Sequence, residues 1–141
     1  MATQYTAGLT SGQVLTAETM NSIGAAWESW TPTVTASSGT ITSYTIGYAK
    51  YTQINKLIVA RISITVTNAG TAGGTYLQFS LPVTSAIGSA YIGSGREGTA
   101  TGNTLNIILS GSTTGRFLEY DNTGTTATGV TNSGLVIYEA A

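Results

Sequence analysis

The stretch 57-LIVARISITVT-67, Leu57 to Thr67, decides the fold class. Ile58, Ala60, Ile62, Ile64 and Val66 alternate with Val59, Arg61, Ser63 and Thr65, the period-two pattern of a strand with one face in a core. Alternation places Arg61 on the other face, where solvent or a carboxylate of a neighbouring molecule would meet it. Around this strand the same kind of pattern recurs at Thr33–Ala36, Ile41–Gly47, Tyr48–Ile54, Thr75–Leu81, Ile87–Ile92, Thr104–Ser110, Arg116–Asp121 and Leu135–Glu139. Turn-forming stretches separate them: Ser37-Ser38-Gly39, Asn55-Lys56, Ala69 to Gly74, Gly93 to Gly98 and Asp121 to Gly124. Short strands broken at intervals of roughly 8 to 12 residues predict an all-β, antiparallel β-sandwich of jelly-roll type over residues 33–141.

Composition agrees. Charged residues make up 8% of the chain, against about 25% in ordinary soluble domains. Hydroxyl side chains therefore carry solubility, and β-branched Thr at this density favours strands. The 41% hydrophobic content is enough to fill a core and argues against a disordered linker. Five bases against six acids leave a net charge of −1. That balance offers no footprint for a nucleic-acid backbone or an anionic membrane. With no cysteine and no histidine in 141 residues, disulfides, thiol nucleophiles, the commonest zinc ligands and the usual triad base are all missing from the inventory. No cofactor and no metal is expected.

Ahead of the β-pattern stands a different segment, Leu15 to Pro32, reading LTAETMNSIGAAWESWTP. Thr16 suits an N-cap, Glu18 suits the first turn, and Leu15 with Met20 fits a hydrophobic staple. Met20, Ile23 and Trp27 recur at spacings of three and four, so a helix over about 16–30 would present them on one face. Pro32 stops it. The segment is too short for a membrane span and lacks the basic start of a signal peptide. Residues 1–32 therefore read as an arm with a short helix, whose Leu15, Met20, Ile23, Trp27 and Trp30 meet a partner or the base of an oligomer.

The order of segments, GQVLTAETMNSI, then WESWTPTVTASSGT, then YAKYTQINKLIVARISITVT, then LQFSLP, then a glycine-rich half ending in LVIYEA, resembles a group of small β-rich phage virion proteins. The resemblance spans nearly the whole chain, through Leu15-Thr16-Ala17 to Asn21, Trp30-Thr31-Pro32-Thr33, the Tyr51 to Leu57 hairpin and Leu81-Pro82. It implies a trimeric jelly-roll module of a tail fibre, a receptor-binding protein or a capsid decoration protein. A fibre tip is normally held off the particle by a shaft, and no shaft sequence stands before the leader. The expectation is therefore a homotrimeric capsid decoration, or cement, protein on the outer surface of the virion head, bound to the major capsid protein. The alternative is a tail-fibre tip that recognises a host glycan or protein.

Glu119 and Asp121 lie two apart, as paired carboxylates on one strand face would, although a solvated face or a turn boundary explains them as well. Asp121-Asn122-Thr123-Gly124 has oxygen ligands for calcium but lacks the carboxylate density of an EF-hand loop, so a turn is expected. Gly93-Ser94-Gly95-Arg96-Glu97-Gly98 lacks the Lys-Ser/Thr ending of a phosphate loop. It is expected as an exposed hairpin loop with Arg96 and Glu97 pairing across subunits. Tyr44 and Tyr48 would share a face of an unbroken strand, with Tyr51 opposite, and sugars stack well on tyrosine. Lys50 and Lys56 read as solubilising edge charges. No enzymatic activity is expected.

Overall fold

The computed structural model describes residues 26–99 and 101–141, and these form nine strands and no helix. In chain order they are β1 (Glu28–Ser29), β2 (Val34–Ala36), β3 (Ser43–Ile54), β4 (Leu57–Asn68), β5 (Leu77–Ser80), β6 (Tyr91–Glu97), β7 (Thr104–Leu109), β8 (Thr114–Glu119) and β9 (Thr131–Glu139). All pairings are antiparallel, in the order β1-β3-β4-β9-β6-β7-β8-β5-β2. The expected alternation of β4 holds: Ile58, Ala60, Ile62, Ile64 and Val66 are all fully buried. Asn55, at φ +54°, turns β3 back into β4, a left-handed conformation that asparagine tolerates better than most residues.

The sheet must curl. Laid flat, nine strands would hold their outer edges about 38 Å apart. Yet the two edge strands, β1 and β2, are joined only by Trp30 to Thr33, a reach of about 18 Å. Trp30 clasps the closure from both sides. Its backbone N–H donates to Ala49 O on β3 at 3.2 Å, and its indole Nε1 donates to Ser80 O on β5 at 3.2 Å. Thr33 and Ser80 add a reciprocal pair, each backbone N–H donating at 2.9 Å, to the other's Oγ or carbonyl oxygen. Inside the curl, residues from both halves of the sheet form one core, with Phe79 against Phe117 at 5.2 Å between ring centroids.

Three expectations change. Glu28 and Ser29, assigned to the end of a helix, pair instead with Tyr51 and Lys50 as strand β1. The spacing of Met20, Ile23 and Trp27 was the misleading signal, because edge pairing to β3 fixes Glu28 and Ser29 in an extended conformation. The rest of the expected helix, with Leu15, Met20 and Ile23, lies outside the described residues. The Gly93–Gly98 segment is not a hairpin loop, since most of it belongs to β6 in the middle of the sheet. Finally, Ile41–Gly47 and Tyr48–Ile54 merge into one long strand, broken at Gly47 by a register shift. That shift puts Tyr44 opposite Val66 and Tyr48 opposite Ser63, hence on different faces.

Tyr51 sits beneath the clasp, edge-on to Trp30 at 6.1 Å, and donates its hydroxyl proton to Glu28 at 2.9 Å. Burial first, and then the bond and charge of Glu28, push its phenol up to about 12. Burial also raises Tyr138, whose hydroxyl donates to Val83 O at 2.8 Å. A raised phenol favours the neutral form in the folded state, so its stabilisation is complete below the unfolded value of about 10 and is lost as pH rises through the folded value. Stability followed by circular dichroism should hold to about pH 10 and fall between there and about 12. Tyr51→Phe should flatten that fall, and an unchanged alkaline profile in the variant would contradict the assignment.

Candidate contact face

The outward side of β3, β4, β9 and β6 is built in rows that the register fixes. From the Asn55 turn upward these are Ile54 beside Leu57 and Glu139, then Thr52, Val59 and Ile137, then Lys50, Arg61, Leu135 and Ser94. Above them come Tyr48, Ser63, Ser133 and Arg96, and then Thr65 beside Thr131. The face is therefore graded along the strands: apolar at the turn end, basic across the middle, hydroxyl-rich beyond. Ser63 bonds Ser133 and Thr65 bonds Thr131, both at 2.8 Å, which satisfies those hydroxyls against one another.

At the middle of the face lies Arg61, with Trp27 and Tyr48 stacked against its guanidinium at 5.0 and 5.7 Å from their ring centroids. Cation–π contacts of this exposed kind contribute about 0.5–1 kcal/mol and hold the guanidinium against the two rings at the surface. Three residues singled out from the sequence for separate reasons, Trp27, Tyr48 and Arg61, thus form one cluster. Beside and below them Leu135, Ile137, Leu57 and Ile54 stand 45–50% exposed. Sheet faces turned to water usually carry polar residues, and a strand apolar on both sides is normally covered on both. Six large apolar side chains, each about half exposed, leave on the order of 500 Å² of apolar surface, the size of patch that marks an interaction site.

Ile54, Leu57, Leu135 and Ile137 were not assigned a role from sequence. The signal was present in the unbroken apolar runs Leu57-Ile58-Val59-Ala60 and Leu135-Val136-Ile137-Tyr138, where the positions that alternate with the core row are apolar as well.

The other candidates lie elsewhere. Arg96 is exposed on β6 within the same face, but Glu97 is buried and turned inward, so it is no surface contact. Its carboxylate organises the loop after β6, accepting from the backbone N–H groups of Thr99, Thr101 and Gly102 and from the hydroxyls of Thr99 and Thr101. Trp30 is taken up by the clasp. Tyr44 lies on the inward-facing row of β3, near its start, and remains partly exposed.

Glu119 and Asp121 do not act as a pair on a strand. Strand β8 ends at Glu119, which accepts from Asn103 Nδ2 at 2.7 Å. Asp121 caps the following turn by accepting from Thr123 Oγ1 at 2.7 Å and Thr123 N at 3.1 Å, and those bonds hold its carboxyl below the usual range. Among the described residues no three acidic, His or Cys side chains gather as a metal site would require. A groove of about 330 Å³ beside β2 is lined by Val34, Thr35, Ala36, Gly39, Thr40 and Ile41, none of which carries a charge.

Compared with family models, with curated proteins and with solved structures, the chain gives no match.

Proposed function

We propose that this chain is a structural protein of a bacteriophage virion, a capsid decoration or cement protein of jelly-roll type that binds the assembled head as a homotrimer. The observation that carries the reading is the outward face of β3, β4 and β9, where an apolar patch adjoins Arg61 held against Trp27 and Tyr48. The segment order that resembles small phage virion proteins supplies the class. The face would meet the major capsid protein or a neighbouring copy, and binding to the assembled shell in preference to free subunits would stabilise it by mass action. No catalytic step and no cofactor are assigned, and neither nucleic acid nor membrane is a proposed partner.

The test is binding to emptied heads that lack decoration. Saturable binding of the purified chain, lost in Leu135→Asp while the variant keeps its circular dichroism spectrum, supports the reading. Failure to bind such heads together with binding to host cells would overturn it. A second reading, a tail-fibre tip, is favoured by the exposed Trp27 and Tyr48 rings flanking Arg61, since aromatic faces stack on sugars and guanidinium groups bond their hydroxyls. Saturable binding on a glycan array, abolished by Tyr48→Ala, would establish that alternative.

A further inference from the structure

The outward apolar patch has a nearer candidate for its cover than any partner: the chain that leads into it. Strand β1 runs antiparallel to β3, with Glu28 opposite Tyr51 and Ser29 opposite Lys50. Followed toward the N-terminus, the chain is therefore aimed past Thr52 and Ile54 toward the Asn55 turn, the end of the face where Leu57, Val59 and Ile137 stand. Trp27 is already on that face, over Arg61. The residues before Ala26 contain Leu15, Met20 and Ile23 at positions that would follow Trp27 onto the patch.

Reach and charge both allow it. The patch spans the columns of β3, β4 and β9, so Ile137 lies about 14 Å across the strands from the β1 column. Met20 is seven residues from Trp27, a tether of up to about 24 Å, and Ile23 is closer still. Residues 1–25 carry one acid, Glu18, and no Lys or Arg. The face they would cover carries Lys50 and Arg61, with Arg96 beyond them, against Glu139. A leader without basic residues meets no like-charge repulsion from the basic row and brings Glu18 to it.

We propose that residues 15–25 of this chain dock in cis on the outward face of β3, β4 and β9, with Met20 and Ile23 against Leu57, Val59 and Ile137. The leader shields the patch in the free protein, and any partner using that face competes with it. The proposal goes beyond the virion reading and does not depend on it, because it concerns the isolated chain.

The natural absence of cysteine makes the test direct. Full-length protein carrying Met20→Cys and Ile137→Cys, oxidised at low concentration, should form an intrachain disulfide at monomer mass. It should do so at least about tenfold faster than a control pairing Met20→Cys with Thr104→Cys on β7, which lies mid-sheet, away from the closure, because docking raises the effective concentration of the thiols. A rate equal to the control would overturn the proposal. So would a product that is mainly a covalent dimer, which would assign the face to a second copy. Met20→Asp with Ile23→Asp gives an independent readout: the fold should persist while binding of a hydrophobic dye rises, and unchanged dye binding would count against docking. Failure here leaves binding to undecorated heads untouched, and failure to bind heads leaves the disulfide result untouched.

Discussion

Gly95→Ala is expected to split the sheet at its centre. A Cβ at Gly95 would overlap the carbonyl oxygen of Ser133, and one at Gly93 would overlap that of Leu135, both backbone atoms of β9. No rotamer change relieves an overlap between backbone atoms and a Cβ, so β6 and β9 must move apart. Their ladder is the joint that connects β1-β3-β4-β9 to β6-β7-β8-β5-β2. The cost should exceed the 1–3 kcal/mol typical of overpacking, and a loss of about 3 kcal/mol or more lowers Tm by about 10 °C or more in a chain of this size. Gly73→Ala is the control, since nothing lies within 4 Å of a Cβ there, and its effect should stay within about 1 kcal/mol. Calorimetry of the three proteins checks the expectation, and an unchanged Tm in Gly95→Ala would show that β6 and β9 do not approach in this way.

Glu97→Ala should be the second most damaging change. The carboxylate is buried, and it gathers backbone and hydroxyl donors of Thr99, Thr101 and Gly102. Removing it strips several charge-assisted bonds at once and leaves the loop's N–H donors without that acceptor, a loss on the order of 3 kcal/mol. Glu97→Gln tests the cause. The amide keeps the shape but offers one carbonyl oxygen where the carboxylate offers two, so it should recover only part of the stability. Faster hydrogen exchange at Thr99, Thr101 and Gly102 in both variants would locate the effect, and full stability in Glu97→Ala would refute the role.

Both predictions concern the segment that sequence reasoning misread. Gly-Ser-Gly-Arg-Glu has no side-chain alternation, so it reads as a loop, although glycine stands there because β9 comes too close for a Cβ. The buried role of Glu97 depends on a loop that folds back over it, a geometry with no local signature. By contrast β4 was fully legible, because one face of the strand is core and the other is not. The Asp121 turn and the Asn55 hairpin were legible for a different reason, their residue types being those that turns require. At Glu28 and Ser29 local helical spacing lost to pairing with β3, a tertiary contact that outweighs propensity.

The contact face was half legible. Trp27, Tyr48 and Arg61 were each noticed, but only the register brings them together, and the bulge at Gly47 decides that Tyr48 joins them while Tyr44 does not. Leu135 and Ile137 were hidden inside an apolar run. Their exposure is what turns a strand of the core into one wall of a contact surface.

If this chain decorates the head of a virion, as proposed, imaging virions labelled on it will show where it sits. Label distributed over the capsid facets is the predicted result, and label confined to the tail would contradict it.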